Sequence, residues 1–222
     1  DIIINDSGAE SRMHYASDIT RTFPVDGKFT QKQTEIYTVL LNAQLKAIAA
    51  VMPGVEYRDV HTLACSQIAA GLNSLGLMKG DVSESVAAGA HALFMPHGLG
   101  HMIGLDVHDM EGLGEDDVGY TDTIRRSHQF GTSHLRLARA LEPGFVVTVE
   151  PGIYFIPALI DQWQAQGKFE NFIDYKKIEN YRDFGGVRIE DNVLVHDDGQ
   201  RVLGKPIAKT VEEVEALSSQ IL

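Results

Sequence analysis

Apolar and β-branched residues open the chain in short runs, "IIIN" at 2–5 and "MHYASDITRTFPV" at 13–25, which read as two strands joined by an "SGAES" turn and ended by Pro24. The spacing then becomes helical. From Thr30, a fitting N-cap, Ile36, Val39, Leu40, Ala43 and Ala47 recur on one face until Pro53-Gly54 stops the run. A second helix is expected from Arg58 to about Ser74, ending near Gly76, whereas "SESVAAGAHAL" is ambiguous. Strand character resumes after Pro143-Gly144 in "FVVTVEPGIYF", and "GGVRIEDNVLVHDDG" gives a further strand or hairpin closed by Asp198-Gly199. Residues 157–184, with Trp163 and "FENFIDYKKIENYRDF", read as an amphipathic surface excursion between two of these strands. Strands, then helices, then strands predict an α+β fold with a largely antiparallel sheet.

Composition narrows the function classes. With 222 residues and 44% hydrophobic content the chain can bury a real core, one domain being the simpler reading. Nineteen basic against thirty-one acidic residues give a net charge of −12, which argues against a phosphate backbone or an anionic membrane surface as partner. No apolar run approaches the ~20 residues that span a bilayer, and the first residues lack a signal-peptide pattern. Cys65 is the sole cysteine, read as a buried structural thiol that suits a reducing, cytoplasmic compartment. The chain starts at Asp1, directly in a strand-like run, so a piece of something longer is expected.

Four carboxylates, Asp6, Asp18, Glu150 and Glu190, sit within or at the ends of apolar strands, where an ionised group is costly without a partner. Any one alone is as readily a paired structural group. Four together repel strongly at low dielectric, and an oxygen-rich set with one imidazole suits Mn²⁺, Co²⁺, Fe²⁺ or Zn²⁺. In "GVRIED", Arg188 and Glu190 share a strand face, so the guanidinium is expected to orient that carboxylate, while Asp191 points the other way. "PHGLGHMIGLDVHD" adds His97, His101 and His108 in a single stretch. Strict alternation sends His101 and His108 to opposite faces, and they converge only where the chain bends, with Gly104 the natural place.

"NDSGAESRMHYASDITRTFPVDGKF", "PHGLGHMIGLDVHD", "EPGFVVTVEPGIYF" and "GGVRIEDNVLV", in that order, resemble the pita-bread metallopeptidases, most closely the prolidases (Xaa-Pro dipeptidases) and aminopeptidases P. The resemblance implies a pita-bread fold, with a mainly antiparallel sheet flanked by helices, whose amino-terminal half lies outside this chain. Residues 1–222 are then the catalytic part, and the absent half would bring a further catalytic histidine. It also implies that Asp6, Asp18, His101, Glu150 and Glu190 bind two divalent ions, with Mn²⁺ foremost, and that His97 and His108 face the substrate. Asp6 and Asp18 stand twelve apart, one more than is usual in the family, which places an insertion in the "ESRMH" turn.

The implied reaction is hydrolysis of the Xaa-Pro bond of a dipeptide by a metal-bridging water or hydroxide, in a fragment that need not be active by itself. Glu150 would move the proton, His108 would stabilise the tetrahedral intermediate and His97 would position the substrate. Arg136, in "HLRLARALEPG", matches the arginine taken to bind the dipeptide carboxylate, with Arg139 an equally basic neighbour. Three alternatives stay open: an aminopeptidase P acting on longer peptides, a metal-free creatinase-like hydrolase, and an inactive pita-bread binding module. A small peptide with proline after the scissile bond is the expected partner, nucleic acid and membrane are not, and a homodimer stays open.

Overall fold

The computed structural model describes residues 1–218. β1 (Ile2–Ser7) and β2 (Ile19–Pro24) form an antiparallel hairpin in which Asp6 opposes Thr20 and Ile4 opposes Thr22. β2 is shorter than the sequence suggests. Residues 8–18 form a loop, tied by a Glu10–Ala16 bridge and turned at His14 with φ 65°, so "MHYASD" precedes the strand. Asp18 lies just before the ladder and keeps the parity of Thr20, which faces it toward the same side as Asp6.

Two long helices cover the sheets. α1 (Gln31–Ala50) starts at a capping box, in which Thr30 and Gln33 satisfy each other's backbone N–H groups, and it buries Ile36, Leu40, Ala43 and Ala47 as the spacing predicts. α2 (Tyr57–Ser74) packs beside it, and the ambiguous stretch resolves into α3 (Val82–Ala88), capped by Asp81 and ended by left-handed Gly89. α4 (Glu115–Gly119) is a single turn in the long connection that follows.

The "FVVTVEPGIYF" run does not form one strand. It splits into β3 (Val146–Val149) and β4 (Gly152–Tyr154), because Glu150-Pro151 interrupts the pairing. α5 (Pro157–Ala165) and α6 (Tyr175–Ile178) follow. They are more than a surface excursion: Trp163 and Ile178 are buried in the core. The next run splits in the same way, into β5 (Gly186–Arg188) and β6 (Asp191–His196), interrupted at Ile189-Glu190. β7 (Gly199–Val202) closes a tight hairpin with β6, and α7 (Val211–Ser218) completes the described chain. The sheets are β1-β2, β4-β5 and β3-β6-β7, all pairings antiparallel. One contiguous apolar core runs from Phe29 to Val214.

The amino-terminal hairpin is joined to β5 and β6 by hydrogen bonds rather than by a ladder. Thr22 Oγ1 donates to the Arg188 carbonyl at 2.8 Å and accepts from the Arg188 N–H at 3.0 Å, and the Glu190 N–H donates to the Thr20 carbonyl at 3.1 Å. On the far side Asp191, 3% exposed, accepts from Arg21 at 2.7 Å, Lys209 at 2.6 Å and Gln44 at 2.8 Å. Lys209 and Arg21 overcome burial and hold the Asp191 carboxyl below the usual carboxylate range.

Removing one partner of such a buried network leaves two cations without their anion. Asp191→Ala is therefore expected to lower unfolding free energy by ~3–5 kcal/mol in urea titrations at neutral pH. Because the folded pKa lies below the ordinary value of 3.8, the contribution is present above that pH and fades as pH falls through the folded value. The gap between the two proteins should narrow below pH 4. A gap that widens on acidification would show that Asp191 is not ionised in the fold.

Candidate metal centre and active-site cavity

Both strand interruptions coincide with a carboxylate, and that coincidence builds the site. Glu150 and Glu190 occupy the kinks between β3 and β4 and between β5 and β6, where each main chain passes from one sheet to another. The hairpin brings Asp6 and Asp18 against them. Asp18 is pinned by a reciprocal pair with Asn192, its N–H donating to Asn192 Oδ1 at 3.2 Å and its carbonyl accepting from Asn192 Nδ2.

His101 arrives on a segment laid along β3. The Thr148 N–H donates to the His101 carbonyl at 2.9 Å, the His101 N–H to Thr148 Oγ1 at 3.1 Å, and the Glu150 N–H to the Leu99 carbonyl at 2.8 Å. Gly100 permits that approach, since a Cβ there would lie 2.2 Å from the Thr148 carbonyl oxygen and 2.6 Å from the Tyr57 hydroxyl. The chain bends at Gly104, whose N–H donates to the Asp106 carbonyl, and returns so that the Asp109 N–H donates to the Met102 carbonyl. His101 and His108 therefore do meet, ring centroids 4.4 Å apart and edge to face.

Side-chain geometry at the cluster is close. Asp18, His101 and Glu190 present ligand atoms that all lie within 4.8 Å of one another. His101 Nδ1 donates to the Met102 carbonyl at 2.9 Å, which leaves Nε2 aimed at Glu150 Oε1, 3.3 Å away, and Asp18 Oδ2, 3.6 Å away. Glu150 Oε1 also accepts from Thr148 Oγ1 at 3.1 Å. Asp6 stands beside Asp18 but pairs with Arg188 Nη2.

The electrostatics match a cluster that wants cations. Burial, then the charge of Glu150, pushes Glu190 up to about 8, against the hydrogen bond from Thr20. Burial likewise raises Asp6, although Arg188 opposes it. Burial works against ionised Asp18 too, but His101 overcomes it and holds Asp18 low. For His101 burial favours the neutral ring, and Asp18 and Glu150 outweigh it to lift the imidazole to about 10. Glu190 Oε1 is buried without any hydrogen-bond partner. A buried carboxylate oxygen left orphaned among three other carboxylates is the donor set of a divalent-cation site, and these residues fit one.

A cavity of about 550 Å³ opens beside the cluster, lined among others by His97, His101, His108, Arg136, Glu150 and Arg188. His97 Nδ1 donates to the Gly98 carbonyl at 2.7 Å and its buried Nε2 has no partner; burial holds the ring neutral. His108 is half exposed, and burial together with the His101 charge lowers its pKa. Arg136 Nη1 donates to Glu111 and, at 3.1 Å, to Glu115.

One contact differs from the sequence expectation. Arg188 does not touch Glu190: its Nη2 holds Asp6, its Nη1 donates to the Tyr154 hydroxyl at 3.1 Å, and its Nε donates to Thr20 Oγ1 at 3.2 Å. Thr20 Oγ1 donates in turn to Glu190 Oε2 at 2.6 Å, so the guanidinium reaches Glu190 through the threonine. The reason is the kink at Ile189-Glu190, which breaks the alternation that would have set the two side chains together. Sequence reasoning also missed Thr20, Tyr154, Arg126 and His134. Parity was the available signal for Thr20, which follows Asp18 by two, whereas Tyr154 lies beyond the Glu150-Pro151 interruption, where parity does not carry.

Comparison with known proteins gives the family and the fold. The profile of metallopeptidase family M24 matches residues 1–197. The Xaa-Pro dipeptidase of Rattus norvegicus is 43% identical over 216 residues, covering 97% of this chain and 42% of the relative. A probable Xaa-Pro aminopeptidase of Colletotrichum graminicola is 41% identical over 215 residues, covering 97% of this chain and 44% of its own length. Zinc-substituted Escherichia coli aminopeptidase P in complex with product superposes with a TM-score of 0.75 at 38% identity, covering 99% of this chain and 41% of that one. The chain thus spans less than half the length of the relatives it matches, and its α+β architecture is the pita-bread fold they share. The match over residues 1–197, read together with these relatives, makes the chain a member of metallopeptidase family M24.

Proposed function

We propose that this chain is the catalytic part of a metal-dependent Xaa-Pro dipeptidase. The observation that carries the reading is the convergence of Asp6, Asp18, Glu150, Glu190 and His101 beside a cavity that His101 and Glu150 line, with Glu190 Oε1 buried and unpaired. Those five residues would hold two divalent ions, which when bound acidify a water and polarise the scissile carbonyl. An oxygen-rich set with a single imidazole favours Mn²⁺, with Co²⁺, Zn²⁺ and Fe²⁺ as workable substitutes.

The remaining steps belong to the chain's own groups. Glu150, at the cavity wall, accepts a proton from the nucleophilic water and returns it to the leaving proline nitrogen. His108, whose ring stands edge to face against His101, donates an N–H to the carbonyl oxygen as it gains charge. His97 offers its unpaired Nε2 to the bound peptide, and its ring is held against Tyr154, centroids 5.4 Å apart. Arg136 meets the terminal carboxylate, which sets the length of the substrate. The sole cysteine, free and buried, is compatible with a cytoplasmic setting. No helix among the described residues is long and apolar enough to cross a membrane.

Chelation should lower the melting temperature and Mn²⁺ should restore it, by about 2.7 kcal/mol of stabilisation when free metal reaches ~100 times Kd. Superimposable melting curves with and without metal would remove the support for a cation site.

Metal analysis of two variants tests the facing of adjacent carboxylates. Glu190→Ala should lose bound metal, whereas Asp191→Ala, whose side chain is held by Arg21 and Lys209, should retain it in whatever fraction stays folded. Equal loss from the folded fractions would contradict the site.

Substrate length separates the two peptidase readings. In a version of the protein restored to full length and loaded with Mn²⁺, Xaa-Pro dipeptides should be cleaved and Xaa-Pro-Yaa tripeptides spared, and Arg136→Ala should cut kcat/KM for the dipeptide by the ~1.5–3 kcal/mol of a charged hydrogen bond while metal content holds. Cleavage of both substrates, indifferent to Arg136→Ala, would make aminopeptidase P the better reading. Full metal binding with no cleavage of either would favour a binding module.

A further inference from the structure

A second convergence of ligating side chains lies on the helical side of the fold. His61 and Cys65 are four apart on α2 and share one face of it. His91 enters from the short 3₁₀ turn Ala90–Leu93, which the left-handed Gly89 (φ 91°) directs back toward α2. All three residues are buried, at 2%, 1% and 2% exposure. Their ligand atoms lie within 4.8 Å of one another, and Cys65 Sγ stands 3.5 Å from His61 Nε2.

Cys65 and His61 contact each other, but His91 is under-satisfied in a way that a packed core does not explain. Neither ring nitrogen of His91 makes a well-formed hydrogen bond, although both are shut off from solvent; the Val86 carbonyl comes near the ring without satisfying it. A buried imidazole with two idle nitrogens is costly and normally finds an acceptor or a cation. We propose that His61, Cys65 and His91 bind one borderline-soft transition-metal cation, Zn²⁺ foremost, through one thiolate and two imidazoles.

Distances and chemistry support the assignment. Tetrahedral zinc, with Zn–S of about 2.3 Å and Zn–N of about 2.0–2.1 Å, sets sulfur and nitrogen roughly 3.6 Å apart, close to the His61–Cys65 separation. His91, whose ligand atom lies within 4.8 Å of the other two, has to close by at most about 1.5 Å. Burial holds His61 down to about 3 and His91 to about 4, the Val86 carbonyl opposing the latter, so both rings are neutral with a lone pair to give, while the same burial pushes the Cys65 thiol up to about 12, so that the thiolate forms only as the cation binds. Binding forms the sulfur–metal bond and releases the Cys65 proton to solvent, while the imidazoles lose no proton. A cavity of about 270 Å³ beside the three, lined in part by Thr62, Ser66, Gln129 and Thr132, leaves the fourth position for water. A thiolate with two imidazoles selects Zn²⁺, Co²⁺ or Cu⁺ over the Mg²⁺ or Mn²⁺ that an oxygen cage accepts.

Cys65 is the only cysteine in the chain, so any thiolate-to-metal signal reports on this cluster and not on the carboxylates. Co²⁺ is titrated into the reduced, unmodified protein and the near-ultraviolet absorbance is followed. A thiolate-to-cobalt charge-transfer band is expected to saturate at the amplitude of one cobalt–thiolate bond per chain, whatever Co²⁺ the carboxylates also take up, to be erased by Zn²⁺ and to be absent from Cys65→Ala. His61→Gln and His91→Gln should each weaken the Co²⁺ affinity read from this band at least tenfold, with far-ultraviolet circular dichroism unchanged. No band from the folded, unmodified protein at saturating Co²⁺ overturns the proposal, whatever the variants do. A band of undiminished affinity in both folded histidine variants overturns it too, because the thiolate would then be binding without the imidazoles.

Discussion

Glu190 and Asp191 are adjacent, almost equally buried and opposite in fate, and the sorting of these two charges organises the molecule. Asp191 turns toward α1 and the end of the chain, where Arg21, Lys209 and Gln44 neutralise it and fasten the amino-terminal hairpin to β6. Glu190 turns the other way, into a group of carboxylates with one hydroxyl donor and an idle oxygen. The first arrangement is a closed ion network that holds the fold. The second is an open one, with charge left to be balanced. Because Arg21 also donates to the Glu190 carbonyl at 2.7 Å, the structural network fixes the backbone of the open cluster directly. Stability on one side of β6 is thus what allows the strained electrostatics on the other.

Much of this was legible in the sequence because period and burial agree. The face of α1, the carboxylates in apolar strands and the opposite facing of Glu190 and Asp191 all follow from periods of 3.6 and 2. The losses came where the chain abandons a period. Pro151 and the Ile189-Glu190 kink divide two apparent strands into four, and the Arg188 contact changed with them. The loop at residues 8–18 shortened β2 because His14 takes a left-handed turn that β-propensity does not register. His61 and Cys65 are visible as an i, i+4 pair, but His91 joins them from an ambiguous segment through tertiary packing that no local pattern contains.

The cavity wall raises a question of charge that bears on substrate choice. The chain carries −12, which at long range disfavours a peptide carboxylate, yet Arg126, Arg136 and Arg188 all line the cavity. None of the three is free. Arg188 holds Asp6, Arg126 holds Glu115 and Asp116, and Arg136 holds Glu111 and the same Glu115. Glu115 therefore lies between two guanidiniums, and under the proposed dipeptidase reading a peptide carboxylate arriving at Arg136 would have an anion to replace rather than an empty cation to fill. Exchange at Glu115 leaves that carboxylate paired with Arg126, so the incoming group can take one face of Arg136 without stranding a charge. A shared carboxylate that can lean to either arginine is a less costly gate than a dedicated ion pair, which would have to be broken outright.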